Sequence, residues 1–226
     1  MVPIFSLYAD GTAVYWNDRL TPGRDEIGLQ TAVLSPAQVQ SLLEFALEEG
    51  GLAHAKSLYR FNTFGPSGST VFEIDAPELT KRVVYQLGIG NLMASREPGH
   101  ASLKRLANRL RSFWRDVAAG DARSTGPYAA QEYVVWLREH GPGPGRTPAP
   151  WPLLGVGPER FASWESMQVA RVSGSEAGEL PEVGLGNRLN AVHGPAGDDS
   201  FTVYVRPLLP DEAASGSLNG DALPLD

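Results

Sequence analysis

Glycines and prolines interrupt this chain from end to end. There are 25 and 18 of them among 226 residues, spread out rather than gathered, so the chain turns often and its elements are short. The length suits one large domain or two small ones, each able to bury a core.

The breaks fall where local chemistry needs them. Asp10-Gly11 separates two strand-like runs, residues 3–9 and 12–17, and supplies the positive φ angles of a tight turn, which predicts a β-hairpin. Residues 18–30 read as a loop around Thr21-Pro22-Gly23. Ser35-Pro36-Ala37-Gln38 is a helix start. The Ser35 side chain can accept from the amide of residue 38, Gln38 can reach back, and Pro36 sits where its missing N–H is harmless. Val39, Leu42, Leu43, Ala46 and Leu47 follow at helical spacing, and Gly50-Gly51 ends the helix. Residues 69–75 and 82–87 predict a second hairpin turning through Ala76-Pro77-Glu78, for an order ββ–α–ββ. Residues 100–119 predict one amphipathic helix with Leu103, Leu106, Ala107, Leu110, Phe113, Trp114 and Val117 on one face and Gly120 as its stop.

Beyond it, residues 121–127 read as a break and a candidate domain boundary. Tyr133–Leu137 reads as a strand, and residues 140–150, with Gly-Pro-Gly-Pro-Gly, as a surface linker. A short helix is expected over 158–164, strands over 167–172 and 201–206, a helix cap at Ser173–Glu176, and a frayed tail from Ala213. The fold class expected is α+β. Residues 1–120 would form an antiparallel sheet with two amphipathic helices on one face, 128–212 a smaller α+β unit of three strands sharing or not sharing that core, and 213–226 a flexible tail.

Net charge is −7, which argues against a nucleic-acid backbone as partner. There are no cysteines, hence no disulfide, thiolate metal site or cysteine nucleophile. No apolar run reaches the length of a membrane span. His54, His100, His140 and His193 share no metal-ligand spacing and read as unrelated surface or helix-end residues. G-x-S-x-G does not occur, Gly88-Ile89-Gly90 and Gly184-Leu185-Gly186 lack the rest of a phosphate loop, and the paired carboxylates read as solvated. No catalytic residue, metal ligand or cofactor is expected.

Two groups stand out as interaction surfaces. Lys104, Arg105, Arg109, Arg111 and Arg115 make helix 100–119 the one basic element of an acidic chain, fitted either to an acidic partner or anionic headgroups, or simply to solubility and compensation of the helix dipole. Trp136, Trp151 and Trp164, with Tyr128 and Tyr133, would either grip a sugar or Pro-rich peptide or pin the linker to a core.

Leu7–Thr12, Leu34-Ser35-Pro36 through Gly50-Gly51-Leu52, Tyr128 after a proline, Trp151-Pro152-Leu153 and the run Val205–Glu212 span nearly the whole chain. In these segments it resembles a group of bacterial extracytoplasmic proteins of unknown function, many made as lipoproteins, and its first half resembles a small ββ–α–ββ domain. The chain departs from that pattern around Asn62–Ser69, where an Asp is expected before Thr70-Val71-Phe72, and it carries neither a leader nor a lipid-bearing cysteine. The resemblance implies architecture and an extracytoplasmic address, with peripheral or lipid-anchored membrane attachment if a leader has been removed; without one, the chain is cytoplasmic. The expected function is a non-catalytic accessory or protein-interaction role. The alternatives are a small-ligand or glycan binder, and an enzyme whose dispersed residues gather near His54 or His193.

Overall fold

A computed structural model describes residues 4–17, 28–59, 69–76, 79–85, 97–140, 149–164, 167–177, 188–193 and 199–215. The fold is α+β, with three mostly antiparallel sheets and four short helices among the described residues. The chain divides into two compact units, one formed by Pro3–Asn17 and Leu29–Gly126, the other mainly by Pro127–Pro224.

The first unit holds two sheets where the sequence predicts one. A four-stranded sheet has the order β1 (Phe5–Leu7), β2 (Thr12–Asn17), β3 (Gly28–Val33), β7 (Arg123–Pro127). The β1–β2 hairpin is as predicted: Phe5 faces Tyr15 and Leu7 faces Ala13, and the Asp10 carboxylate accepts from the Thr12 amide at 2.8 Å. A three-stranded sheet has the order β4 (Leu58–Tyr59), β6 (Leu79–Tyr85), β5 (Thr70–Ala76). β5 and β6 form the second predicted hairpin, but β6 begins at Leu79, and β4 joins it in parallel. β3 takes residues 28–30 of the predicted loop, whose residues 18–27 lie outside the described residues, and β7 fills 123–127 of the predicted break. Both are built by long-range pairing, and Gly126 and Pro127 are tolerated because β7 lies on a sheet edge.

Helix α1 (Pro36–Leu47) starts as its sequence dictates. The Gln38 carbonyl oxygen accepts from the Ser35 amide at 2.6 Å, and the Ser35 hydroxyl accepts from the Gln38 amide. The predicted helix 100–119 is two helices, α2 (His100–Arg111) and α3 (Trp114–Ala119). The reason lies in packing. Leu103, Leu106 and Ala107 of α2 join Tyr59, Phe72, Val83 and Tyr85 over the three-stranded sheet. Phe113, with Trp114 and Val117 of α3, joins Ala13, Tyr15, Ala32 and Leu34 over the four-stranded one. Phe113 meets Phe5 and Tyr15 edge-on at 4.9 and 5.2 Å. The break at Ser112-Phe113 falls where the apolar stripe passes from one sheet to the other. α1 divides its face in the same way, with Val39 and Leu42 toward one sheet and Phe45, Ala46 and Leu47 toward the other.

The second unit is larger in strands than the predicted three. Its six-stranded sheet has the order β10 (Ala162–Trp164), β11 (Met167–Ser173), β8 (Glu132–His140), β13 (Asp199–Pro207), β12 (Arg188–His193), β9 (Ala149–Pro150). The predicted helix over 158–164 is a single 3-10 turn, Pro158–Arg160, followed by β10. The predicted linker gives up its ends, His140 to β8 and Ala149–Pro150 to β9, while 141–148 lie outside the described residues. Ser173–Glu176 forms a capped turn, and residues 178–187 after it lie outside the described residues: Glu176 accepts from the Ser173 amide at 2.8 Å and from its hydroxyl at 2.9 Å. The tail predicted from Ala213 begins inside a helix, α4 (Pro210–Ser215); residues 216–226 lie outside the described residues.

Alternation along the central strands sorts the core. Val135, Leu137, Ala170, Val172, Phe201 and Val203 pack on one face, and Val134, Trp136, Val169 and Tyr204 on the other. Among the described residues no helix is long and apolar enough to cross a membrane.

Candidate functional site

The basic helix face divides into side chains that hold the fold and side chains that do not. Arg105 donates to the Glu49 carbonyl at 3.0 Å and to the Ser102 hydroxyl at 2.9 Å, satisfying a backbone oxygen just past the end of α1. The Arg109 guanidinium lies over the Phe45 ring, 4.9 Å from its centre, and pairs with Asp116 at 3.5 Å across the helix break. Arg115 lies over Trp114 at 5.3 Å. Lys104 and Arg111 are exposed and have no ion-pair or hydrogen-bond partner among the described residues. Seven residues apart on α2, they stand on one helix face two turns from each other, with exposed Asn108 between them.

Trp136 and Trp151 do not gather. Trp136 is 2% exposed in the middle of the six-stranded sheet, opposite Tyr204 on β13 and Val169 on β11, and its indole N–H has no hydrogen-bond acceptor among the described residues. Trp151 is on the other face, edge-on to Phe201 at 5.8 Å, and donates to the Val156 carbonyl at 2.6 Å. Trp164 lies in β10 opposite Met167, and its side chain is outside the described residues. Tyr128 donates to the Leu208 carbonyl at 2.6 Å, and Tyr133 packs on the Trp151 face.

Two polar groupings escape sequence reasoning. In the second unit, Arg206 is 3% exposed and grips both carboxylate oxygens of Glu212 at 2.7 and 2.8 Å, while Glu212 also accepts from the Leu209 amide at 3.0 Å. In the first, the Tyr85 hydroxyl and His100 Nδ1 lie 2.7 Å apart, both residues buried. Burial pushes the Tyr85 hydroxyl up to about 12, with the charges of Glu97 and Tyr59 adding to it. Burial also holds His100 below the ordinary histidine value of 6.5, and Lys104 one turn along adds to the effect. His100 reads from the sequence as a helix-end residue, yet it stands in phase with Leu103, Ala107 and Leu110 on the apolar stripe of α2. That phase is the signal for its burial.

Of the other three histidines, only His54 has a described side chain. His54 is exposed in the 3-10 turn Leu52–His54, and the side chains of His140 and His193 lie outside the described residues. Among the described residues no three histidine, aspartate or glutamate side chains are grouped as a metal ion needs. No family model, curated protein or solved structure matches the chain.

Proposed function

We propose that this protein is a non-catalytic accessory protein that docks an acidic protein segment on the exposed face of α2. The carrying observation is that Lys104 and Arg111 are unpaired among the described residues, on one helix face, in a chain of net charge −7. Arg105, Arg109 and Arg115 are each engaged by a carbonyl, a carboxylate or a ring, so their presence has a structural account; Lys104 and Arg111 have none. Two unscreened cations against an acidic background favour an anionic partner and steer its approach. The glycan-grip reading has no observation in its favour, because Trp136 and Trp151 lie on opposite faces of a sheet. The cell exterior as its location rests on the sequence resemblance alone, and cell fractionation tests it.

The function is tested with a photo-crosslinking residue in place of Asn108, in cells that make the protein. The reading expects a discrete adduct to one protein, lost in the Lys104→Glu/Arg111→Glu variant. It fails if no adduct forms, or if the adduct survives charge reversal.

A further inference from the structure

His100 is the first residue of α2, and its ring is 5% exposed against Tyr85, the last residue of β6. The two ring centres lie 5.5 Å apart, and the Tyr59 ring of β4 lies 4.9 Å from that of Tyr85, tilted by 31°. The Tyr59 hydroxyl in turn accepts from the Lys56 amide at 3.2 Å. The pair therefore ties the opening turn of α2 to both β6 and β4.

The charges around it do not favour a second proton on His100. Lys104 lies one turn along the same helix, and the amino end of α2 carries the positive pole of its dipole. Lys56 comes from the segment before β4, and the acid on this side, Glu97, is paired with that lysine at 3.7 Å. Tyr85 and Tyr59 face the ring from the sheet and are neutral hydroxyls near neutrality. With His100 protonated on Nε2 alone, Tyr85 donates to Nδ1. A second proton occupies Nδ1, ends its role as acceptor and places a cation in an apolar core among Leu103, Leu106 and Val83.

We propose that the Tyr85–His100 pair is an acid-sensitive latch, and that protonation of His100 releases the opening turn of α2 from the three-stranded sheet. The sign follows from linkage. A histidine held below its ordinary value contributes full stability above about 6.5, and that contribution falls as pH drops from there toward the folded-state value. Each pH unit in that window shifts the closed-to-open ratio about tenfold. The latch does not depend on the docking role of Lys104 and Arg111.

Hydrogen exchange of the full chain, read as protection of the α2 amides between about pH 7 and about pH 5, tests it. The unaltered protein should lose protection several-fold in α2 and not in the second unit, and His100→Gln, which keeps an acceptor but cannot titrate, should show a flat profile. Equal pH dependence in both proteins would overturn the latch. Should His100→Gln not fold, an NMR titration of the unaltered protein decides: the latch requires the His100 ring to titrate below the ordinary histidine value of 6.5, and a His100 that titrates at or above 6.5 refutes it.

Discussion

Arg206 and Glu212, six residues apart, close the end of β13 onto α4 through a two-pronged ion pair in which the arginine is almost wholly buried. The same turn receives the Tyr128 hydroxyl on the Leu208 carbonyl and sends the Leu208 amide to the Glu132 carbonyl at 2.9 Å. The run Val205–Glu212 and the tyrosine after Pro127, read separately in the sequence as points of resemblance, are thus two sides of one clasp. Glu212→Ala leaves a buried guanidinium without its counter-charge and is expected to destabilise the second unit by about 3 kcal/mol. Urea denaturation followed by tryptophan fluorescence checks this; a loss below about 0.5 kcal/mol contradicts it.

Gly11 closes the first hairpin at φ +84°, accepts from the Leu34 amide at 2.9 Å, and a Cβ there would stand 2.5 Å from the Leu34 carbonyl oxygen. The obstacle is backbone, which cannot swing aside. Gly11→Ala is therefore expected to destabilise the first unit by at least about 2 kcal/mol, from the disfavoured φ and the displaced loop together. Gly120, also at positive φ but with open space around it, should lose less on the same change, about 1 kcal/mol. Paired thermal melts of the two variants give the comparison.

Glu176 answers to pH with the opposite sign to His100. The Arg160 guanidinium, followed by the Ser173 amide and hydroxyl, holds its carboxyl down to about 2. A depressed carboxylate contributes stability that is present above its ordinary value of 4.5 and is lost as pH falls toward 2. Glu176→Gln should therefore lower stability at neutral pH and flatten the acid side of the profile, and acid titrations of the two proteins by circular dichroism check it. Parallel profiles would show that the capped turn contributes nothing through its charge.

The arginines of α2 should separate by role. Arg105→Ala removes hydrogen bonds to an exposed helix end and should destabilise by about 1 kcal/mol. Lys104→Ala and Arg111→Ala, which touch no partner among the described residues, should stay within about 0.5 kcal/mol of the parent. Chemical denaturation of the three single variants measures the split.

What was legible in the sequence was whatever a few neighbouring residues decide. Asp10-Gly11 makes its turn through its own side chain and φ, and Ser35 and Gln38 cap each other across one turn of helix. Strands that exist only through distant partners were not legible. Ala149–Pro150 is a strand because Ala191–Val192 lies beside it, and Arg123–Pro127 because the four-stranded sheet has an edge to fill. The break at Ser112-Phe113 was hidden because the apolar stripe runs unbroken from Leu103 to Val117, and nothing in it marks the point where its contacts pass from one sheet to the other. The candidate surface was half legible. Charge could be read along α2, but whether each cation is engaged depends on Glu49, Phe45 and Asp116, which the fold brings to them.

The docking role of α2 is tested most directly by the anisotropy of a labelled polyglutamate peptide titrated at low ionic strength with the full chain, its Lys104→Glu/Arg111→Glu variant and its Arg105→Ala variant. Binding should be retained by the parent and by Arg105→Ala, weaken as salt is raised, and disappear on charge reversal. A charge-reversed protein that binds as tightly as the parent would contradict the account.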